Sequence, residues 1–185
     1  MDSTCAPSTI VAILTGVASS FAASLVFIFF ISRIRPKFVI SKSISKQSDE
    51  NGNFVFKIKF INKTRYRVND VNISLFRVRQ KIASGLDVPN LGYHHTLERI
   101  ELRRCNIAYL EKYDLNDRNA YYAVRVTILE NIEVDWIPGC SYYRLEVSGI
   151  HSLSGIKWCA TRVYGDPSKC VKTGVFSFGS DLEVS

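Results

Sequence analysis

The sequence lacks the short motifs that mark the common classes of enzyme and metal site. It contains no G-x-S-x-G, no P-loop, no H-E-x-x-H and no glycine-rich turn that opens a helix. These are the motifs that position a nucleophile, a phosphate group or a zinc-bound water. Its five cysteines include no C-x-x-C pair, and its three histidines stand at no zinc-ligand interval from them. We therefore predict that the chain is not an enzyme, binds no metal and needs no cofactor.

Charge is also absent from one long stretch near the amino terminus. Ile10 to Ile31 contains no charged residue, and as an α-helix this run is about 33 Å long, which matches a bilayer core of about 30 Å. Basic residues follow at once, and such residues stay on the cytoplasmic side of a membrane. We predict a transmembrane helix in residues 1–35 of an inner-membrane (cell-membrane) protein, with its amino terminus outside and residues 36–185 forming a cytoplasmic domain. The predicted lipid headgroup contacts are Arg33, Arg35 and Lys37.

Two other topologies are alternatives for an apolar run near the amino terminus. A cleaved signal peptide is disfavoured because the sequence has no basic n-region and the apolar run continues past the small-residue sites into a basic cluster. An exported, disulfide-bonded domain needs the reverse orientation. Labelling of Cys105 or Cys170 from outside intact cells would support that orientation.

Small residues are concentrated in the first half of the apolar run. Gly16, Ser20 and Ser24 are four residues apart and therefore share one face of a helix. Small residues at this spacing let two helices approach closely in lipid, and hydroxyls bond across the contact. We predict that these three residues form a helix-association surface or, in a larger assembly, line a pore. The alternative is that they are incidental, since small residues are common in bilayer helices.

Most of the excess positive charge lies in one short segment. Residues 54–81 hold eight basic residues against Asp70 alone, in a chain whose net charge is +7. Such a segment binds anionic lipid, or an anionic ligand such as a nucleotide or single-stranded nucleic acid. The predicted anionic-ligand residues are Lys57, Lys59, Lys63, Arg65 and Arg67. The tyrosines predicted to stack on bases are Tyr66, Tyr121 and Tyr122. A solvated strand face or a core position is the alternative for each of them.

Beyond Pro36 the hydrophobic pattern has a period of two, which is typical of β-strands. Phe54, Phe56, Ile58 and Phe60 are predicted to face a core, with Lys57 and Lys59 on a solvent-exposed face. Further strands are predicted near 38–44, 71–79, 97–102, 122–128, 143–147, 157–163 and 175–178. Turns are predicted at 51–52 and 115–119, and a loop at 82–95. This spacing favours a mainly β chain with an antiparallel, immunoglobulin-like β-sandwich after the membrane helix.

Two segments resemble the cytoplasmic domain of inward-rectifier potassium channels. FKIKFINKTRYRVNDVNISLFRVRQ is similar to that family's early strands, and YYRLEVSGIHSLSGIKWCATRVY is similar to its later hairpin. In the second segment the matching positions are Gly149, Gly155, Thr161, Arg162 and Tyr164. The resemblance implies an immunoglobulin-like sandwich that assembles as a four-fold ring beneath a pore. The sequence has no second span, pore helix or T-x-G-Y-G filter, so potassium selectivity of the usual kind is excluded.

The overall layout resembles small bacterial membrane effectors of anti-phage defence, of which the Hailong effector is one family. These proteins pair a short membrane segment with a β-rich cytoplasmic sensor of a nucleotide or oligonucleotide. The resemblance implies an oligomeric effector, with a tetramer favoured, that acts as a channel or pore and binds an anionic ligand. The alternative is a non-conducting, membrane-tethered β-sandwich that docks a protein partner.

Overall fold

The computed structural model describes residues 6–49, 52–82 and 93–185. The chain is mainly β, with one long helix at its amino-terminal end. The elements are α1 (Ala6–Arg33), β1 (Phe38–Ile40), β2 (Ile44–Ser48), β3 (Phe54–Asn62), β4 (Val68–Ile82), β5 (Tyr93–Ile100), β6 (Asn106–Leu110), β7 (Ala123–Ile128), β8 (Ser141–His151), β9 (Lys157–Tyr164), α2 (Pro167–Cys170) and β10 (Val171–Thr173).

Helix α1 contains the charge-free run. Its segment Thr9–Ile31 is long and apolar enough to cross a membrane, and none of it is buried against the described part of the chain. The helix ends at Arg33 because Pro36 follows, and the residue before a proline is disfavoured in the helical conformation. A last turn is closed by the N–H of Ile34, which donates to the carbonyl of Ile31 at 2.9 Å.

The first sheet is built around β3. Strands β1 and β2 lie one after the other along the same side of β3, and both pair antiparallel with it. Residues 41–43 separate the two strands, and Ser41 keeps the ladder connected by donating its N–H to the carbonyl of Lys59 at 2.8 Å. Strand β7 pairs antiparallel with the other side of β3. Strand β10 pairs with β2 in parallel. The prediction of a wholly antiparallel arrangement is therefore wrong for this sheet.

The second sheet is built around β4, which has 15 residues. Strands β5 and β6 pair with successive parts of one side of β4, and β8 pairs with the other side. Strand β9 then pairs with β8 and completes the sheet. Every pair in this sheet is antiparallel. The β4–β8 register shifts between Asn69 and Asn72, where Asp70 has a positive φ of 47°.

The two sheets share one hydrophobic core. In β8 the buried and half-buried residues alternate along the whole strand, as expected for a strand with one face on a core. The first sheet contributes Ile40, Ile44, Phe56, Ile58, Phe60, Val124, Val126 and Ile128. The second contributes Val68, Val71, Ile73, Leu75, Ile100, Leu110, Tyr143, Leu145, Val147 and Tyr164. Each fully buried large apolar side chain contributes about 1.5–3 kcal/mol.

A second, smaller cluster covers the outer face of the first sheet. It contains Ile61, Ala120 and Tyr122, with Leu182 packed against it from the carboxy-terminal segment. This covering explains why one prediction about β3 is wrong. Lys59 is 1% exposed instead of lying on a solvent-exposed face.

Other predictions about elements need correction. Phe54, expected in the core, is 53% exposed. The strand expected at 175–178 is replaced by β10 and by a single bridge between Phe176 and Val184. Strand β6 was not predicted. The predicted loop at 82–95 is entered by the ends of β4 and β5, and residues 83–92 lie outside the described residues.

The turn predicted at 115–119 is confirmed, and of the turn predicted at 51–52 the structure describes Gly52. Gly52 has a positive φ of 79° and donates its N–H to the carbonyl of Asp49, whereas its predicted partner Asn51 lies outside the described residues. At 115–119, Asp117 donates its N–H to the carbonyl of Asp114. The four cysteines that the structure describes, Cys105, Cys140, Cys159 and Cys170, are free thiols.

Candidate functional site

The predicted helix-association residues lie together on one side of α1. Gly16, Ser20 and Ser24 line a shallow groove with Val17 and Phe21. Gly16 adds no side chain to this groove, and a Cβ built there would meet no atom of the described residues within 4 Å, its own turn of helix apart. A neighbouring helix can therefore approach the backbone at this point more closely than elsewhere on α1.

The hydroxyl groups near this groove differ in their hydrogen bonds. Thr15 Oγ1 donates to the carbonyl of Val11 at 2.8 Å, and Ser19 Oγ donates to that of Gly16 at 3.0 Å. Ser24 Oγ donates to the carbonyl of Ser20 at 2.9 Å. The Ser20 hydroxyl makes no hydrogen bond within the described part of the chain. It is thus the one of these four that has its proton free for a group outside its own helix.

The segment that follows α1 is held against the β-domain, meaning residues 36–185. Ser154 Oγ in the β8–β9 turn donates to the carbonyl of Ile34 at 2.7 Å. The guanidinium carbon of Arg35 lies 4.0 Å from the centroid of the Trp158 ring. Lys37 donates its N–H to Thr64 Oγ1 at 2.9 Å. The β3–β4 turn and the β8–β9 turn therefore lie at the end of the β-domain nearest to α1, which we call the helix-proximal end.

Three of the five predicted anionic-ligand residues lie on the β3–β4 turn. Lys63 Nζ donates to Tyr113 Oη at 2.9 Å, and this hydrogen bond lowers the pKa of Tyr113 below its ordinary value. Arg65 is exposed and forms no ion pair with the described carboxylates. The guanidinium of Arg67 lies 5.0 Å from the centroid of the Tyr109 ring. All three are therefore near the predicted lipid-contacting residues and at the helix-proximal end.

The other two predicted ligand residues lie elsewhere, on β3. Lys57 is half-buried, and its Nζ donates to Gln47 Oε1 at 2.8 Å. Lys59 is buried, and its Nζ donates to the carbonyls of Ser177 and Asp181, at 2.6 Å each. Burial lowers the pKa of Lys59, and the nearby charge of Arg125 lowers it further.

Arg125 is not among the predicted site residues, although the alternation of β7 indicates which face of the strand it occupies. The buried row of β7 consists of Val124, Val126 and Ile128, so Arg125 lies on the opposite face with Lys59. The two residues are direct partners in the β3–β7 register. Finding this pair required the strand register, which the sequence pattern alone does not determine.

The predicted stacking tyrosines are in three different environments. Tyr121 is 63% exposed, and Tyr122 is buried in the smaller cluster. Tyr66 is 47% exposed, and its ring meets the ring of buried His151 edge to face at a centroid distance of 5.2 Å. Only Tyr66 and Tyr121 therefore have rings accessible from solvent.

His151 supports the β8–β9 turn that contacts the end of α1. Its Nδ1 accepts the N–H groups of Leu153 and Ser154, at 3.3 Å each. Its Nε2 is buried without a hydrogen-bond partner in the described part of the chain. Burial lowers the pKa of His151, so the neutral ring is the form that fits this site.

Within residues 6–49, 52–82 and 93–185, no group of three or more histidine, cysteine or acidic side chains is arranged to hold a metal ion. A scan against models of protein families and a search of curated proteins find no match for the chain.

Proposed function

We propose that the chain is an oligomeric membrane effector that crosses the cell membrane once through α1. Copies associate through one face of the helix, and the cytoplasmic β-domain responds to an anionic ligand such as a nucleotide or oligonucleotide. The observation that carries the proposal is the groove at Gly16, Ser20 and Ser24. The groove has a shape that suits a second helix. It lies on α1, whose apolar span packs against no other part of the described chain.

The chemistry of the groove supports association of copies in a bilayer. Lipid chains offer no strong hydrophobic gain for helix contact, so association depends on close packing and on hydrogen bonds between helices. Gly16 permits the close packing, and the free hydroxyl of Ser20 supplies a donor for a carbonyl of the neighbouring helix. Bulky side chains from Leu25 to Phe30 follow the groove and suit contact with lipid.

For the β-domain we propose an immunoglobulin-like sandwich that assembles as a ring of four, as the resemblance to inward-rectifier channels implies. Two sheets that share one core support the sandwich. The layout of one apolar helix before a β-rich domain supports a place among the anti-phage membrane effectors. The exposed cations of the helix-proximal end would then face anionic lipid, at about 1 kcal/mol for each cation near the surface.

A second candidate function is a non-conducting, membrane-tethered module that docks a protein partner. One observation favours it. The hydroxyls of Thr15, Ser19 and Ser24 are already satisfied by carbonyls of their own helix, so they need no water-filled path. Under this reading α1 serves as an anchor, and the contacts at Ser154 and Trp158 hold the β-domain beside the membrane.

The test is the mass of the full-length protein in detergent, measured by light scattering. We expect a defined oligomer, with a tetramer favoured, that dissociates in the variant Gly16→Leu, Ser20→Leu. The matched control is Ala18→Leu, Ala22→Leu, which adds the same kind of bulk on the opposite face of the helix. A monomeric wild type, or equal effects of both variants, would contradict association through the groove.

Ion flux from liposomes separates the two candidates. A channel predicts that the oligomer releases ions in one ligand state and that the Gly16→Leu, Ser20→Leu variant does not. An intact oligomer that is impermeable with and without nucleotide would favour the tethered module.

A further inference from the structure

Two cations lie side by side on the outer face of the first sheet. Lys59 and Arg125 are directly opposite one another on β3 and β7, an arrangement in which like charges destabilise a sheet. Neither forms an ion pair with a carboxylate of the described part of the chain. Lys59 is moreover buried, and a buried charge is costly unless a counter-charge is nearby.

The local groups compensate this pair only in part. Lys59 Nζ donates two of its three N–H groups, to the carbonyls of Ser177 and Asp181. The guanidinium of Arg125 donates one long hydrogen bond, to the carbonyl of Ser177 at 3.3 Å. The carboxylate of Asp181 attracts Lys59, but more weakly than burial and Arg125 oppose its charge. The pair therefore retains uncommitted donors and excess positive charge.

A cavity of about 220 Å³ lies beside the two cations. Its lining residues are Lys59, Asn119, Ala120, Ala123, Arg125, Phe178 and Gly179. This volume is below the roughly 300–1,000 Å³ of pockets that enclose whole drug-sized ligands, so it suits one anionic group and not a complete nucleotide. Phe178 at the margin of the cavity is 64% exposed and offers a ring on which a base can stack.

We propose that this cavity binds a phosphate group of a water-soluble nucleotide, with Lys59 and Arg125 as the cationic contacts and Phe178 as the contact for the base. The inference deepens the proposed function, on which it rests, because it locates the anionic ligand of the β-domain. Bound phosphate adds negative charge beyond that of Asp181 and reduces the repulsion between the side chains of Lys59 and Arg125. With the ligand in the cavity, the cations of the β3–β4 turn are free to contact the membrane surface. Ligand binding and lipid contact are then carried by different residues.

The experiment is calorimetric titration of the full-length protein in nanodiscs of zwitterionic phosphatidylcholine, with ATP, pyrophosphate and adenosine as probes. We expect ATP and pyrophosphate to bind and adenosine not to bind at the same concentrations. Arg125→Gln should weaken the affinity for ATP at least tenfold. Arg118→Gln, which removes the same charge from the neighbouring turn outside the cavity, should change affinity less than twofold. Phe178→Ala should weaken the affinity for ATP and leave the affinity for pyrophosphate unchanged.

The second variant is Lys59→Met, whose folding is checked by circular dichroism. It should bind neither ATP nor pyrophosphate. Equal losses of affinity in Arg125→Gln and Arg118→Gln would show that net charge alone explains the effect, and this would overturn the site. Binding that survives Arg125→Gln but disappears in Lys63→Gln, Arg65→Gln would place the ligand on the turn. That result would overturn the cavity and retain the proposed function. An intact oligomer that binds neither ATP nor pyrophosphate would overturn both the cavity and the ligand response, and would leave self-association standing.

Discussion

The guanidinium of Arg35 lies over the indole ring of Trp158, with 4.0 Å between its central carbon and the ring centroid. Arg35 follows α1 by two residues, and Trp158 lies near the start of β9. This cation–π contact and the hydrogen bond from Ser154 to Ile34 join the end of the apolar helix to the edge of the second sheet. The position of the β-domain relative to the helix end is thus set by side chains that are distant in sequence.

The first prediction concerns the depth of Trp158. If α1 spans a bilayer, Trp158 lies at the level of the lipid headgroups, whereas Trp136 is 4% exposed and belongs to the core. In proteoliposomes that contain headgroup-labelled nitroxide lipid, we expect strong quenching of Trp158 fluorescence in Trp136→Phe. The residual Trp136 of the matched variant Trp158→Phe should be quenched little. Equal quenching of the two variants would contradict this placement.

The second prediction concerns Arg77, which is buried at the end of the inward row of β4. Its Nε donates to Glu98 Oε2 at 3.0 Å and its Nη1 donates to Asp135 Oδ2 at 2.5 Å. Burial alone would lower the pKa of Arg77, but the hydrogen bonds to the two carboxylates outweigh it and raise that pKa. We expect Arg77→Met to lower the free energy of unfolding by about 2 kcal/mol. This is less than the roughly 3–5 kcal/mol for breaking a fully buried pair, because both carboxylates are about half exposed.

The control for Arg77 is its neighbour Arg79. Its Nη2 reaches the same two carboxylates at only 3.9 and 4.0 Å, and its side chain is 46% exposed. Arg79→Gln should cost less than about 1 kcal/mol in denaturant unfolding of the detergent-solubilised protein. A loss for Arg79→Gln as large as that for Arg77→Met would show that net charge, and not the buried contact, stabilises this cluster.

The third prediction is a pH dependence that originates at His151. Burial lowers its pKa below the ordinary value of 6.5, so the unfolded chain takes up the proton more readily than the folded chain. The stabilising contribution is complete above about pH 6.5 and is lost as the pH falls from there through the lower folded pKa. We expect the thermal midpoint to fall between about pH 7.5 and about pH 5.5.

Two substitutions identify the histidine responsible. His151→Asn keeps an acceptor for the N–H groups of Leu153 and Ser154 but does not titrate, so the fall in the midpoint should become smaller. His95→Gln, on the exposed part of β5, should keep the wild-type dependence. An unchanged fall in His151→Asn would assign the effect to other groups.

The fourth prediction concerns the close packing of Gly149 in β8. A Cβ at this position would lie 2.6 Å from Val68 Cγ1 and 3.0 Å from Phe38 Cζ, and such overpacking costs about 1–3 kcal/mol. Gly149→Ala should therefore lower the thermal midpoint. Gly165→Ala, where an added Cβ meets no described residue within 4 Å, is the matched control and should be nearly neutral. Unchanged stability in Gly149→Ala would mean that β4 and the Phe38 ring yield without cost.

Much of the secondary structure could be predicted because its signals are local. A run without charge predicted α1, and alternation predicted β3, β7 and β8, since a strand with one buried face repeats every two residues. Strand β6 was missed because it has no such alternation, with Asn106, Ala108 and Tyr109 all exposed. Strand β6 pairs with residues 68–72 of β4, on the side where β5 covers only residues 75–82. Its formation therefore depends on the sheet and not on the segment itself.

The candidate sites were predictable in part. The small-residue face of α1 could be derived from helical geometry alone, and Gly16, Ser20 and Ser24 do line one groove. The basic set could be selected by charge, but charge does not indicate burial. Lys59 and Lys63 are four residues apart, yet one is covered by the carboxy-terminal segment and the other is exposed.

By itself, the sequence determined the apolar helix, the mainly β character of the rest and the concentration of positive charge between residues 54 and 81. Each of these is a property of residue order over a few turns or one strand. Only the tertiary structure decided that β10 pairs in parallel with β2, that residues 177 and 181 cover Lys59, and that Lys59 faces Arg125. These contacts join segments more than 60 positions apart, and their partners are selected by the packing of the whole domain and by the need to satisfy buried polar groups.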